Sequence, residues 1–342
     1  MAFHFLRLTR PVNLLIIAIT MGLMREGVIR GNLLRGLAHL ANEAGVTLDQ
    51  VAARTAELAP RMPLFHFILL MMSTMCIAAG GNVINDYFDT RVDRINKPGR
   101  VIVGALVKRR TAMTGHLILS GLGLLLGIFV AWLSDLLHLA LIPAFSIAAL
   151  WWYSTTWKRK WVLGNGVVAV LTALVPLTVG LYEIPLLQRA FIKPFVSILP
   201  NHAAFEITPA FGELWWWIGG YAVFAFLSTL VRELQKDMAD IRGDKAIGRR
   251  TIPIAWGMRG ARVLVLVYIG LIIAGLLFVR ARLLNDPVSF WYIGSGVILP
   301  LLLSAAFTYQ ASDPRAHHRA GQLTKAAMVM AVAYALLIRH IA

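Results

Sequence analysis

Two short windows of this 342-residue chain hold seven of its 17 acidic residues. In the first window, Asn85, Asp89 and Asp93 follow one another at intervals of four, which places them on one face of a helix. Two carboxylates on one helix face repel each other unless a cation lies between them, and an amide oxygen can join them as a neutral ligand. Hard oxygen donors without histidine or cysteine suit Mg²⁺. The first window therefore predicts part of a magnesium site.

The second window repeats this pattern much later in the chain. Its carboxylates predict one acidic stripe on a continuous helix: Glu233, Asp237, Asp240 and Asp244. Mg²⁺ takes one or two carboxylates from a protein, keeps waters and completes its shell with substrate phosphates. Two acidic stripes joined through Mg²⁺ to a diphosphate form a coherent site. The alternative is a pair of helix ends neutralised by lysine and arginine, and it accounts less well for two such clusters together.

Basic and aromatic residues near both windows could complete this site. The cations that could bind the outer oxygens of a diphosphate are Arg10, Lys97, Arg100, Lys158 and Lys236. If the diphosphate carries an allylic tail, its departure leaves a carbocation, from which water must be excluded. The ring of Tyr153 could offer its π face to that cation. The sequence thus predicts a Mg²⁺-dependent enzyme that acts on a lipid diphosphate.

The rest of the chain predicts a membrane protein that holds these windows. It is 58% hydrophobic and only 15% charged, with a mean hydropathy of +0.70, which excludes an ordinary soluble enzyme. We therefore predict an all-α polytopic protein with one domain over 1–342, in which nine transmembrane helices surround a central cavity. The apolar runs lie near 12–24, 62–84, 111–133, 136–156, 161–182, 212–231, 261–279, 288–309 and 323–341.

The distribution of basic residues predicts the orientation. With the N-terminus inside, 23 of the 33 lysines and arginines fall on the inner side, including those of loops 85–110 and 232–260. We expect an integral protein of the cell (inner) membrane, with its N-terminus, both catalytic loops and the opening of the cavity on the cytoplasmic side. The net charge of +16 then reflects topology and anionic lipid, not nucleic acid. Residues 26–61 predict an extracytoplasmic amphipathic insertion, and four prolines within 183–210 predict an irregular segment or a broken helix.

Four motifs in order resemble those of the UbiA-type intramembrane prenyltransferase superfamily. Its first motif, Asn-Asp-x-x-Asp-x-x-x-Asp, is matched over residues 85–93. Its second motif, Asp-x-x-x-Asp followed by Gly and Thr-x-Pro, is matched over residues 240–253. Two shorter motifs are matched over residues 10–13 and 153–165. The resemblance covers nearly the whole chain.

The resemblance implies a role for each matched residue. Two Mg²⁺ ions would be held directly or through water by Asn85, Asp89, Asp93, Asp237, Asp240 and Asp244. Arg10, Lys158 and Tyr153 would face the diphosphate, with Asn13 in the same substrate site. Lys97, Arg100 and Lys236 would bind the diphosphate or an acceptor's phosphate, and Glu233 is the candidate base.

Within the superfamily, the segments 96–100 and 232–244 most resemble those of digeranylgeranylglyceryl phosphate synthases. This implies transfer of a geranylgeranyl group from its diphosphate to geranylgeranylglyceryl phosphate, a lipid glycerol phosphate acceptor, without an obligatory protein partner. An aromatic prenyltransferase of quinone or pigment biosynthesis would share every metal residue, so it stays open. A cation-coupled transporter is the third possibility. Its carboxylates would be expected near the bilayer midplane, not at helix ends.

Overall fold

The computed structural model describes residues 2–34, 60–96, 99, 101–160, 163–198, 203–284, 286–311 and 313–338. Within these residues, nine helices are long and apolar enough to cross a membrane. The same residues form no strand beyond an isolated bridge between Val103 and Val107. The predicted all-α membrane fold is therefore confirmed.

The helices are numbered here in chain order. They are α1 (Ala2–Leu8), α2 (Pro11–Leu23), α3 (Leu64–Asn96), α4 (Arg109–Leu133), α5 (Leu141–Thr155), α6 (Leu163–Ile198), α7 (Ala203–Ala239), α8 (Ile241–Ala246), α9 (Ile252–Ala255), α10 (Gly257–Leu283), α11 (Pro287–Tyr292), α12 (Leu299–Gln310), α13 (Pro314–Ala333) and α14 (Ala335–Ile338). Two π-helical segments, Met24–Ile29 and Ile293–Ile298, extend the apolar helices at α2 and α11.

The first membrane helix is longer than its apolar run, because a buried ion pair neutralises the charge in its extension. The span reaches Leu34 and includes Arg25, whose Nε donates to Glu183 Oε1 at 2.8 Å. The Glu183 side chain is fully buried and also accepts from two backbone N–H groups at residues 61 and 62. Residues 26–34 of the predicted insertion are therefore helical, and its residues 35–59 lie outside the described part of the chain.

Two helices meet within the predicted irregular segment 183–210, and residues 199–202 between them lie outside the described part of the chain. Helix α6 continues through Pro185 and Pro194 to Ile198, and α7 begins at Ala203 and includes Pro209. Membrane helices tolerate proline because neighbouring groups and small local adjustments satisfy the backbone carbonyl that proline leaves free.

Three apolar clusters hold the bundle together. The largest joins the first, second, fifth and sixth spans around Met24, Phe67, Tyr182 and Ile218. The second packs α7 against α10, α12 and α13, and the third joins α1 to α3 and α4. This packing brings the C-terminal ends of α3, α5 and α7 and the N-terminal end of α6 to one end of the bundle.

Candidate active site

A cavity of about 310 Å³ lies at that end of the bundle. It brings together ten of the predicted site residues, namely Arg10, Asn85, Asp89, Asp93, Tyr153, Lys158, Lys236, Asp237, Asp240 and Asp244. Lys97 and Arg100 lie outside the described residues. Asn13 and Glu233 are not among the residues that line the cavity. The two acidic windows, far apart in sequence, therefore line the same cavity.

The first window has the geometry that its spacing predicts, because α3 is continuous through Asn96. Lys158 lies in the short turn after α5, and its Nζ donates to Asn85 Oδ1 at 2.8 Å and also to Asp89 Oδ2. Burial lowers the pKa of the Lys158 ammonium, and the adjacent Asp89 carboxylate opposes that shift. The same ammonium lies 5.5 Å from the centre of the Tyr153 ring. One cation thus joins the amide, the carboxylate and the aromatic ring.

The second window departs from the predicted single stripe. Helix α7 ends at Ala239, and Asp240 is the N-cap residue of a new short helix, α8. The cause is Asn96, which donates to the Asp240 carbonyl at 3.2 Å and accepts from the Gly243 N–H at 2.9 Å. A Cβ on Gly243 would lie 2.5 Å from the Asn96 side chain, so only glycine allows this approach. The break still leaves Asp240 and Asp244 on the cavity wall.

Arg249 links the two windows, and the sequence analysis did not identify it. Gly248, with φ of +72°, ends α8 in a Schellman motif in which the Arg249 N–H donates to the Asp244 carbonyl at 2.9 Å. The turn directs the guanidinium inward, where Nη2 donates to Asp89 Oδ1 at 2.5 Å and Nη1 to Asp244 Oδ1 at 3.1 Å. Burial raises the pKa of Asp244, and Arg249 counteracts it. The available signal was the position of Arg249 between two matched motif residues, Gly248 and Thr251.

Arg10 reaches the cavity from a strained turn between α1 and α2. Its φ of 55° and ψ of 65° lie in the left-handed region, which is costly for a residue with a side chain. The Asn82 amide holds this turn by donating to the Thr9 carbonyl at 3.0 Å. Arg10 Nη2 then donates to Asp86 Oδ1 at 2.5 Å, and both residues line the cavity. Asn13 instead contributes to the helix start, where its backbone N–H donates to the Arg10 carbonyl at 2.8 Å.

Helix α7 supplies a cation, Lys236, and a carboxylate, Asp237, to the cavity wall. Asp237 accepts a hydrogen bond from Asn165 Nδ2 at 2.9 Å, and Asn165 lies in the first turn of α6. Lys236 Nζ lies 3.2 Å from Glu233 Oε2, and Arg232 lies 3.7 Å from the other carboxylate oxygen. Glu233 is therefore engaged by two cations and is not among the residues that line the cavity.

The donor set of the cavity fits Mg²⁺. Six aspartates and two asparagines line it, together with five basic residues, and none of the lining residues is a histidine or cysteine. In the part of the chain that the structure describes, no three carboxylate, imidazole or thiol side chains converge into a preformed metal cage. That arrangement agrees with ions that take few protein ligands and complete their shells with phosphate oxygens.

Sequence comparison assigns the family. Residues 51–331 match the UbiA prenyltransferase family. The chain is 30% identical over 305 residues to the digeranylgeranylglyceryl phosphate synthase of Thermococcus gammatolerans, covering 87% of this chain and 93% of that protein. It is 32% identical over 226 residues to the protein of the same name from Methanoregula boonei, covering 66% and 70%.

Solved structures share the fold. A structure described as giving insights into digeranylgeranylglyceryl phosphate synthase in membranes matches with a TM-score of 0.59 and 19% identity, covering 98% of both chains. A UbiA homologue from Archaeoglobus fulgidus bound to GPP and Mg²⁺ matches with a TM-score of 0.53 and 15% identity, covering 99% of this chain and 100% of that one. The chain therefore belongs to the UbiA prenyltransferase family and is an integral membrane prenyltransferase.

Proposed function

We propose that the protein transfers a geranylgeranyl group from geranylgeranyl diphosphate to the free hydroxyl of geranylgeranylglyceryl phosphate, forming an ether lipid and releasing diphosphate. The observation that carries this proposal is the single cavity in which both acidic windows meet five cations at the end of an apolar bundle. The acceptor is supported by the relatives named digeranylgeranylglyceryl phosphate synthase, which align with most of the chain.

Two Mg²⁺ ions would be held by one acidic window each. Asn85 and Asp89 of the first window and Asp240 and Asp244 of the second, all of which line the cavity, would be the ligands. Asp93 and Asp237 would act through water or as supports. When bound, Mg²⁺ would supply charge stabilisation to the departing diphosphate. The Archaeoglobus fulgidus homologue bound to GPP and Mg²⁺ supports the use of Mg²⁺ with a prenyl diphosphate.

The basic residues of the cavity bind the outer oxygens of the diphosphate. Lys158, Lys236 and Arg249 all line the cavity. The C1–O bond of the donor breaks with its electron pair going to the diphosphate, and fixed cations stabilise that charge more than in water. The Tyr153 ring offers a π face to the allylic cation, while the surrounding helices exclude water.

The acceptor is an anionic lipid and needs cations of its own. Lys160 lines the cavity beside the donor cations, and Lys97 and Arg100 lie in the basic segment after α3. The acceptor hydroxyl oxygen attacks C1, and its proton passes to the departing diphosphate as the new C–O bond forms. Because an allylic cation is a strong electrophile, this attack requires no strong base, which agrees with the engagement of Glu233 by Lys236 and Arg232.

The cavity opens toward the cytoplasm in this proposal. Of the 33 lysines and arginines, 23 fall on the side of the membrane that holds the N-terminus and both catalytic loops, which supports that orientation. Membership of a prenyltransferase family excludes the transporter considered above. The aromatic prenyltransferase is the competing outcome of the acceptor test.

The acceptor test uses purified protein in detergent with Mg²⁺ and labelled geranylgeranyl diphosphate. Geranylgeranylglyceryl phosphate and a 4-hydroxybenzoate-type phenol are supplied in separate reactions. We expect a diether phosphate with the first acceptor and loss of that product in Asp89→Asn. Asp135→Asn is the matched control, because the Asp135 side chain is 95% exposed in the loop between α4 and α5. A prenylated phenol without diether would overturn the assignment of the acceptor.

A further inference from the structure

Gln235 lies within the second acidic window, yet its side chain points away from the cavity into the bundle. It is fully buried, and its Nε2 donates to Ser304 Oγ at 2.8 Å and to Thr308 Oγ1 at 2.9 Å. Its Oε1 accepts from Thr324 Oγ1 at 3.0 Å. Both amide N–H groups and the carbonyl therefore bond to other helices, α12 and α13.

The network around Gln235 is complete without water. Ser304 Oγ donates to the Ala320 carbonyl at 2.9 Å, and Thr308 Oγ1 donates to the Ser304 carbonyl at 2.8 Å. The side chains of Gln235, Ser304, Thr308 and Thr324 are all fully buried. A fully satisfied polar network in an apolar interior is rigid, since each group that moves loses bonds that nothing nearby replaces.

Helical geometry places this anchor opposite the catalytic face of α7. At about 100° per residue, both Glu233 and Asp237 lie about 160° around the helix from Gln235. The neighbouring Val231, Leu234 and Met238 belong to an apolar cluster that also contains residues of α10, α12 and α13. Apolar contacts tolerate small rotations, whereas directional hydrogen bonds specify one register.

We propose that Gln235 is a positioning residue that fixes the rotation of α7 and thereby presents Lys236 and Asp237 to the cavity. The inference rests on the proposed function, because what it predicts is the affinity of this site for a Mg²⁺-diphosphate. Groups that orient metal ligands change metal affinity by about 10–100-fold when they are removed. Gln235 does not contact a metal ligand itself but orients the helix that carries Lys236 and Asp237, so we expect a change in affinity near the lower end of that range.

The test measures binding of inorganic pyrophosphate with Mg²⁺ by thermal stabilisation of the purified protein, alongside transfer kinetics. In Gln235→Leu we expect the half-saturating concentration and the donor KM to rise about tenfold. Ser228→Ala is the matched control, because Ser228 is fully buried on the same helix and, among the residues that the structure describes, bonds only to its own helix, at the Phe224 and Ala225 carbonyls. We expect its half-saturating concentration to stay within twofold of the wild-type value.

Thr308→Val serves as the milder variant if Gln235→Leu does not fold, since it removes one of the three bonds and leaves Ser304 and Thr324 in place. A rise of about threefold in the half-saturating concentration would then support the inference. A folded variant with a lower melting temperature but wild-type half-saturation would overturn it, because the network would then be only structural. A wild-type protein that pyrophosphate and Mg²⁺ do not stabilise would overturn the proposed function as well.

Discussion

Replacing Arg249 tests the link between the two acidic windows. The Arg249 guanidinium is 10% exposed and bonds to the Asp89 and Asp244 carboxylates, which are 9% and 4% exposed. Arg249→Gln keeps a polar side chain but leaves two buried carboxylates facing each other. Breaking a buried ion pair in this way costs about 3–5 kcal/mol. At about 2–4 °C per kcal/mol, we expect the melting temperature to fall by at least about 6 °C without Mg²⁺.

The assay is thermal unfolding in detergent, followed by the fluorescence of the ten tryptophans. Arg250→Gln is the control, because Arg250 is the next residue and is exposed, so a change within about 0.5 kcal/mol is expected. Adding Asp244→Asn to Arg249→Gln should recover about 1–3 kcal/mol, since it removes a carboxylate left without its guanidinium. Two results would contradict this reasoning. Arg249→Gln could have the same melting temperature as Arg250→Gln, or adding Asp244→Asn could lower the melting temperature of Arg249→Gln further. Either would mean that the buried ion pairs of Arg249 do not hold the two windows together.

Three further predictions concern other contacts of the site and the fold. Asn96→Ala removes both side-chain bonds that hold α8 against α3, so we expect at least about tenfold slower prenyl transfer. Lys158→Met removes a cation from the diphosphate site, and kcat/KM for the donor should fall by about 10²–10³. Asp286→Ala removes the N-cap of α11 and should cost about 1 kcal/mol of stability with kcat/KM unchanged. Burial raises the pKa of Asp286, but hydrogen bonds from Ser289 lower it, and the net pKa lies below the usual value. The cap therefore stabilises the protein above the usual carboxyl pKa and is lost as pH falls through the lowered value.

Each of these variants has a result that contradicts its reasoning. Wild-type turnover in Asn96→Ala would mean that α8 holds its position without the α3 contact. An unchanged donor kcat/KM in Lys158→Met, measured at saturating acceptor, would remove Lys158 from the diphosphate site. A fall in kcat/KM in Asp286→Ala, or a stability loss that persists at low pH, would show that Asp286 does more than cap α11.

The first window could be predicted because its geometry is local. Asn85, Asp89 and Asp93 lie on one uninterrupted helix, so helical periodicity alone fixes their common face. The apolar runs were equally informative, since a helix that crosses a membrane must satisfy its own backbone and expose apolar side chains. Composition therefore indicated the nine spans found among the described residues.

The second window could not be predicted in full, because its geometry depends on contacts with distant residues. Asn96, more than a hundred positions earlier, accepts from the Gly243 N–H and donates to the Asp240 carbonyl where the stripe breaks. Arg249 enters the cavity only because Gly248 adopts a positive φ and reverses the chain. Nothing in the sequence distinguishes Gln235 from the other polar residues of the second window. Its hydrogen-bond partners lie on α12 and α13 and become apparent only in the packed structure.

The central claim is that the two acidic windows hold one diphosphate through divalent ions, and anomalous diffraction tests it most directly. Crystals would be grown with Mn²⁺ in place of Mg²⁺ and with a non-reactive thio analogue of geranylgeranyl diphosphate. We predict one Mn²⁺ peak beside Asn85 and Asp89, a second beside Asp240 and Asp244, and the diphosphate between them with its tail among the spans. A diphosphate bound away from either window, or Mn²⁺ absent from both, would contradict the account.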